Sequence, residues 1–128
     1  MPEETSIPRR VVIATHPDIP EASSEAVAIA SYLIDRGLTA HHGALDDESL
    51  RARVRDGECD IFIAIGGDGT MLRSAHLCAP HGVPILGINL GRFGFLIQVR
   101  REEWRSNLGN LLDGMFWIEN RMMICAEH

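Results

Sequence analysis

The feature that most constrains the fold is a run of five apolar residues, Ile61 to Ile65, which ends directly in Gly66-Gly67-Asp68-Gly69-Thr70. An apolar run without polar alternation is typical of a parallel β-strand that is covered on both faces. The glycines mark a turn, and the residues from Met71 to Ala79 are predicted to form a helix. Segment 61–79 therefore predicts a strand, a turn and a helix, the repeating unit of a parallel sheet.

Further strands are predicted on both sides of this unit. Val11 to Ala14 and Val83 to Ile88 are short apolar runs, and a weaker strand is predicted from Leu38 to Ala44. Each run is followed by a turn or by a segment with helical spacing. This order predicts a parallel sheet with right-handed crossovers.

Three more helices are predicted between and after these strands. The first begins near Asp18, where Glu21 follows three positions later, and it ends at Gly37. The polar segment 46–55 predicts a short exposed helix, and an amphipathic helix is marked by Trp104, Leu108, Leu111 and Leu112. The predicted fold class is therefore α/β, with three layers around a mainly parallel sheet.

Composition limits both the size of the fold and its chemistry. A chain of 128 residues with 45% hydrophobic content suffices for one core and is too short for two ordinary domains. A net charge of -6 without a basic block argues against binding to a nucleic-acid backbone. All 12 basic residues are arginines, which excludes a Walker A lysine and a Schiff-base lysine.

The cysteines and the first residues favour a cytoplasmic protein. Cys59, Cys78 and Cys125 are widely spaced and odd in number, so they predict neither a CxxC metal site nor a complete set of disulfides. Residues 1–8 lack an apolar signal core, and no apolar run approaches the roughly 20 residues needed to cross a bilayer. We expect a cytoplasmic protein that does not contact membranes.

The glycine-rich turn predicts an anion-binding site. Its backbone N–H groups can approach a phosphate closely, with the positive end of the helix dipole behind them. Asp68 is interpreted either as the N-cap of the helix or as a carboxylate that accepts a proton from an attacking hydroxyl or helps to hold a divalent ion. Arg73 lies one helical turn after Gly69 and is either a solvated surface residue or a phosphate contact.

The remaining reactive side chains do not predict a second site. Cys59 and Cys78 are more simply interpreted as small buried hydrophobic residues than as nucleophiles. His41 and His42 are adjacent on a strand and point to opposite faces, so they do not predict a metal site. The GGDG sequence does not fit the G-x-G-x-x-G template, which favours phosphoryl transfer over hydride transfer.

A second glycine cluster, Gly87 to Leu96, begins at the end of the last predicted strand. It should lie at the same carboxyl edge as GGDGT, where open parallel sheets bind ligands. Together, Ile65 to Arg73 and Gly87 to Leu96 resemble the amino-terminal domain of the NAD kinases. Gly114 to Met122 resembles that family's passage into a second, all-β domain.

The resemblance implies a domain organisation and a reaction. A Rossmann-like nucleotide-binding domain is implied over residues 1–114, and residues 115–128 are implied to be the first strand of an all-β domain that the chain lacks. ATP or inorganic polyphosphate would phosphorylate the adenosine-ribose 2'-hydroxyl of NAD, with a divalent ion such as Mg²⁺, to give NADP. The implied partners are small-molecule nucleotides, and the full-length protein is a candidate homo-oligomer.

The resemblance also assigns roles to individual residues. Asp68 would orient and deprotonate the 2'-hydroxyl. The residues implied to bind the nucleotides are Gly66, Gly67, Gly69, Thr70, Arg73, Asn89, Phe95 and Leu96. The resemblance does not identify the residues that bind the divalent ion.

The resemblance leaves two alternatives open. NAD kinases carry a further Asn-Glu pair and a glycine-rich β domain, so we expect the 128-residue chain alone to bind NAD weakly and to turn over little. A nucleotide-binding module without catalysis is therefore one alternative. The other is a phosphotransferase of the lipid kinase or 6-phosphofructokinase type, although lipid kinases continue from GGDGT almost directly into Asn-Glu, where this chain has Met71-Leu72-Arg73.

Overall fold

The computed structural model describes residues 9–89, 98–100 and 104–112. Its strands are β1 (Arg10–Thr15), β2 (Thr39–Ala44), β3 (Ile61–Gly66), β4 (Ile85–Asn89) and β5 (Gln98–Arg100). Its helices are α1 (Pro20–Ile34), α2 (Glu48–Arg55), α3 (Asp68–Cys78) and α4 (Trp104–Leu112), with a 3-10 turn at Ala79–His81. The predicted α/β fold class is confirmed. None of the described helices combines the length and the apolar character that a membrane span requires.

The five described strands form one parallel sheet in the order β2-β1-β3-β4-β5. The chain passes from β1 to β2 at one edge and then crosses back to β3 on the other side of β1. The strand order therefore reverses between β1 and β3. In open parallel sheets, ligands bind outside the carboxyl ends of the strands at such a reversal.

The central strands alternate their side chains between two apolar cores. All six residues of β3 are buried. One core lies under α1 and α4 and contains the strand residues Val11, Ile13, Ile61, Ile63, Ile65, Leu86 and Ile88. The opposite core lies under α2 and α3 and contains Val12, Ala14, Phe62 and Ala64. The prediction of three layers is confirmed.

Helix α4 packs on α1 through Trp104. The indole Nε1–H donates a hydrogen bond of 2.6 Å to the Glu25 carboxylate. The Tyr32 ring meets the indole edge-on, with 5.4 Å between the ring centroids. Trp104 and Leu108 are buried in the first core, which confirms the predicted amphipathic helix.

Several element boundaries differ from the sequence prediction because the capping residues differ. Helix α1 begins at Pro20 with Ile19 as its N-cap, and the Asp18 N–H instead donates to Nδ1 of His16. Helix α2 begins after Asp47, whose carboxylate accepts the Ser49 N–H. It is not wholly exposed, because Leu50 and Val54 are buried. Strand β5 has no counterpart in the prediction, while the division at residue 114 and the strand within 115–126 lie outside the described residues.

Cys59 and Cys78 are buried among the apolar side chains of the second core. Burial raises the pKa of the Cys59 thiol to about 12 and also raises the pKa of Cys78. Thiols with raised pKa values carry little thiolate and are poor nucleophiles. The interpretation of both residues as small buried hydrophobic side chains is confirmed.

The starts of β1 and β3 are joined through Asp60. Its carboxylate accepts backbone hydrogen bonds from the N–H groups of Arg9 and Arg10, at 3.0 and 2.8 Å. It also pairs with the Arg10 guanidinium at 2.9 Å. Partial burial acts to raise the pKa of Asp60, but these hydrogen bonds outweigh it and hold the pKa below its ordinary value.

Replacing Asp60 with Asn is expected to lower the free energy of unfolding by about 1–2 kcal/mol near neutral pH, because charge-assisted hydrogen bonds are lost. The pKa of Asp60 is lower in the folded state, so its stabilising effect is complete above the ordinary carboxyl value of 3.8 and is lost as pH falls through the folded value. Urea titrations should therefore show a difference between wild type and variant that shrinks toward a pH of about 2.

Asp56→Asn provides the matched control, because Asp56 is an exposed carboxylate that caps α2 only through its backbone. It should change the free energy of unfolding by less than about 0.5 kcal/mol. A destabilisation by Asp60→Asn that stays constant with pH would contradict this role for the carboxylate.

Candidate functional site

The loops that follow β1 and β2 are hydrogen bonded to neighbouring strands at the carboxyl edge of the sheet. The Leu45 N–H donates to the Thr15 carbonyl at 2.8 Å, and the His16 N–H donates to the Ile65 carbonyl at 3.2 Å. In the sheet register, Gly66 lies beside Asn89 of β4. The second glycine cluster thus begins next to the GGDGT loop, as the sequence predicts.

Gly66 is required by the packing of the turn from β3 into α3. A Cβ atom at this position would lie 2.5 Å from Oγ1 and 3.0 Å from Cβ of Thr70. Thr70 is only 2% exposed. Rotation of its side chain would move Oγ1 but not Cβ, so only the absence of a side chain at Gly66 permits this close contact.

The other two glycines of the loop are not crowded by the described residues. A Cβ atom at Gly67 or Gly69 would meet no heavy atom of residues 9–89, 98–100 and 104–112 within 4 Å. Neither residue has a positive φ angle. Gly69 is the second residue of α3, where alanine would be more stable by up to about 1 kcal/mol. The described fold does not need glycine at these two positions, whereas a ligand that approaches the backbone closely does.

Asp68 is the first residue of α3 and not its N-cap. The N-cap is Gly67, which has an extended backbone, and the helix has no side-chain cap. The N-cap interpretation of Asp68 is therefore wrong, because the backbone of Asp68 is already helical. Its carboxylate is half-buried at the positive end of the helix dipole, where a negative charge is stabilised.

Thr70 lies beneath the loop. It is packed against Gly66, and its carbonyl accepts a hydrogen bond of 2.8 Å from the Ser74 hydroxyl, which is also buried. These contacts give Thr70 a supporting role in the shape of the turn. A contact between its hydroxyl and phosphate stays a prediction.

Arg73 is exposed on α3 and lines an open depression of about 350 Å³ between α2 and α3. The other lining residues are Asp46, Glu48, Arg51 and His76. Asp46 comes shortly after β2, at the same edge of the sheet as the glycine loop. The structure thus brings Arg73 together with side chains of the second helix that the sequence does not single out.

His16 is a second feature that the sequence marks only as a turn. It follows β1 directly and is half-buried at the reversal of strand order. Its Nδ1 accepts the Asp18 N–H at 3.0 Å, so in the neutral ring Nε2 carries the hydrogen. The sequence could have indicated this position, because His16 directly follows an apolar run that predicts a strand. The same reasoning places GGDGT at the carboxyl edge of the sheet.

The remaining predicted site residues are placed only in part. Asn89 ends β4 beside Gly66, and nothing is described of its side chain. Phe95 and Leu96 lie outside the described residues. Their contacts with a nucleotide stay predictions.

A divalent ion fits this site only with help from a ligand. Within residues 9–89, 98–100 and 104–112, no group of three or more His, Cys, Asp or Glu side chains could hold a metal ion. Mg²⁺ bound to a nucleotide needs only one or two carboxylates, because phosphate oxygens and water complete its coordination. Asp68 at the glycine-rich loop fits that requirement for a metal ion that arrives with a nucleotide.

Comparisons with known proteins agree with the two glycine motifs. Residues 24–116 match the family model of the ATP-NAD kinase N-terminal domain. The NAD kinase of Heliobacterium modesticaldum is 36% identical over 123 residues, covering 91% of this chain and 44% of the relative. That of Aromatoleum aromaticum is 37% identical over 117 residues, covering 84% and 39%. The chain spans less than half the length of these relatives.

Solved structures with a similar fold share little sequence. A 3-dehydroquinate dehydratase-like protein from Bifidobacterium longum has a TM-score of 0.53 at 12% identity, covering 82% of this chain and 96% of that protein. An archaeal alcohol dehydrogenase from a Red Sea brine pool has a TM-score of 0.52 at 14% identity, covering 68% and 31%. These likenesses show the α/β fold alone.

The match to the ATP-NAD kinase N-terminal domain includes both glycine clusters. The described geometry agrees with it, because the loop that carries the first cluster lies at the carboxyl edge where the strand order reverses. This chain belongs to the NAD kinase family.

Proposed function

We propose that this chain is part of an NAD kinase whose full-length form transfers a phosphoryl group from ATP or inorganic polyphosphate to the adenosine-ribose 2'-hydroxyl of NAD, giving NADP. The observation that carries the proposal is the loop at Gly67 and Gly69, which lies at the reversal of strand order and has no described side chain in front of it. Membership of the NAD kinase family supports the choice of substrate. The alternative to this proposal is a nucleotide-binding module without catalysis, and the experiments below distinguish the two.

The backbone at the start of α3 binds phosphate in this proposal. The first N–H groups of a helix have no intrahelical acceptor. Helical bonding in α3 begins with the Met71 N–H, which donates to the Gly67 carbonyl at 3.0 Å. The N–H groups of Gly69 and Thr70 precede that bond and lie at the positive end of the helix dipole. Phosphate oxygens approach them because no side chain stands at Gly67 or Gly69.

Asp68 acts as the general base. It accepts the proton of the ribose 2'-hydroxyl while the oxygen of that hydroxyl bonds to the terminal phosphorus of the donor. The bond between that phosphorus and its bridging oxygen breaks, and ADP or a shortened polyphosphate leaves. A positioned base of this kind contributes roughly 10²–10⁴ in rate. A divalent ion bound with the phosphates would neutralise part of their charge.

The proposed setting is the cytoplasm, where NAD and ATP are the small-molecule partners. The buried thiols of Cys59 and Cys78 are free, which fits a reducing compartment. The acidic net charge of -6 supports the absence of a nucleic-acid partner. A homo-oligomer of the full-length protein stays a prediction.

Asp68→Asn should lower NADP formation by at least about 100-fold, because it removes the proton acceptor and preserves the size of the side chain. A coupled assay for NADP measures turnover, and calorimetric titration should give an NAD dissociation constant close to that of the wild type. The exposed residue Asp35, which caps α1 through its backbone, provides the control variant Asp35→Asn, with unchanged turnover.

Unchanged turnover in Asp68→Asn would show that Asp68 is not the general base. NAD binding by the full-length wild type without any NADP formation would instead support the non-catalytic module. Circular dichroism melts of each variant show whether the fold is retained.

Alanine at Gly69 and at Gly66 should have opposite effects on stability. Gly69→Ala should raise the free energy of unfolding by up to about 1 kcal/mol, because alanine favours the helix. Gly66→Ala should lower it by about 1–3 kcal/mol, because its Cβ collides with Thr70.

NAD affinity provides the functional test of the same pair. Gly69→Ala should weaken NAD binding although the protein is more stable, because the new methyl group occupies the space in front of the loop. Thermal unfolding and calorimetric titration measure the two effects. NAD binding by Gly69→Ala with wild-type affinity would contradict a close approach of the ligand to this glycine.

A further inference from the structure

The loop between β1 and α1, residues 16–19, is held together by His16. Pro17 has no backbone N–H, so the donors of this loop are the N–H groups of His16, Asp18 and Ile19. The Asp18 N–H donates to Nδ1 of His16 at 3.0 Å, and the Ile19 N–H donates to the His16 carbonyl at 3.3 Å. Every backbone donor that follows His16 in the loop is therefore bonded to His16 itself.

The imidazole supplies the one side-chain hydrogen bond of this loop. Helix α1 has no side-chain cap, because its N-cap residue is Ile19. A side chain that accepts the N–H two residues later forms an Asx turn when it belongs to Asp or Asn. Nδ1 of His16 takes the place of that side-chain oxygen. Without it, the Asp18 N–H would lose this bond and the loop would be held by backbone bonds alone.

A third hydrogen bond connects the loop to the glycine-rich turn. The His16 N–H donates to the Ile65 carbonyl at 3.2 Å. Thr15 lies opposite Ile65 in the register of β1 and β3, so this bond extends their pairing by one residue beyond the end of β1. The Ile65 carbonyl belongs to the same planar peptide unit as the Gly66 N–H. The orientation of that peptide therefore depends on where the loop holds His16.

The two connected loops leave the sheet on opposite faces. The loop after β1 leads to α1, which packs on one core, and the glycine-rich turn leads to α3, which packs on the other. Strands β1 and β3 are neighbours at the reversal of strand order. The two loops thus form the two walls of the crevice where open parallel sheets bind ligands. His16 stands in one wall, half-buried, and is hydrogen bonded to the strand that leads into the other.

We infer that His16 is a positioning residue for the glycine-rich turn. Its Nδ1 fixes the loop after β1, and this loop holds the peptide between Ile65 and Gly66 in the orientation that receives a nucleotide. The inference rests on the proposed function in one respect, since the nucleotide is the ligand that the turn receives. The hydrogen bonds that carry it are present in the protein without a ligand, and such preorganisation lowers the cost of binding.

Three variants of His16 separate the roles of its two ring nitrogens in calorimetric titrations of the full-length protein with NAD. His16→Ala removes both nitrogens and should weaken NAD binding by about three- to tenfold. His16→Asn should restore most of the lost affinity, because its side-chain oxygen can accept the Asp18 N–H. His16→Gln places its amide N–H near the position of Nε2 and should bind as weakly as the alanine variant. His81→Asn changes an exposed histidine in the 3-10 turn after α3 and should bind like the wild type.

The ¹³C chemical shift of the Ile65 carbonyl tests the inference without a ligand. Ile65 and Gly66 form the one Ile-Gly pair of the 128-residue chain, so ¹³C-carbonyl isoleucine combined with ¹⁵N-glycine labels this peptide alone. The carbonyl shift should change in His16→Ala and His16→Gln and stay close to the wild-type value in His16→Asn. A protein that shows this pattern and does not bind NAD contradicts the proposed function and leaves the positioning role in place.

Two results would overturn the inference. One is an Ile65 carbonyl shift that does not change in His16→Ala. The other is a loss of NAD affinity in His16→Asn as large as that in His16→Ala, which would indicate that the imidazole contacts the nucleotide directly. Circular dichroism melts show whether each variant is folded. His16→Gln replaces His16→Ala in both comparisons if the alanine variant does not fold, because glutamine keeps most of the volume and lacks an acceptor at the position of Nδ1.

Discussion

The burial of β3 on both faces is the constraint on which the rest of the structure depends. Ile61, Ile63 and Ile65 pack under α1 and α4, while Phe62 and Ala64 pack under α2 and α3. A strand enclosed in this way is open only at its ends. Its carboxyl end lies between β1 and β4, so the turn into α3 emerges beside the reversal of strand order.

The candidate site is formed largely by the absence of side chains. Gly66 permits Thr70 to pack against the backbone, which fixes where α3 begins. That start places Asp68 at the first helical position, and no described atom would meet a side chain at Gly67 or Gly69. In the proposed function, the same residues that make a tight turn would present backbone donors and one carboxylate to a phosphate compound, as phosphoryl transfer requires.

Part of this arrangement could be predicted from the sequence, because it depends on local pattern. The apolar runs of β1, β3 and β4 identify buried strands, and the strand-turn-helix order identifies the edge where their loops meet. The helix start at Asp68 could not be predicted, since Asp is a common N-cap and the contact between Gly66 and Thr70 exists only in the folded turn. Arg51 and Arg73 line the same depression because α2 and α3 pack side by side. The spacing of residues in the sequence does not predict that arrangement.

We propose that the backbone of the loop after β3 holds the phosphates of the nucleotide. Titration of the ¹⁵N-labelled protein with NAD, followed by amide chemical shifts, tests it most directly. We expect saturable shifts at Gly67, Gly69 and Thr70, while Gly57 and Gly82, which lie in other turns, stay unchanged. Saturation with NAD that leaves the three loop amides unshifted would contradict it.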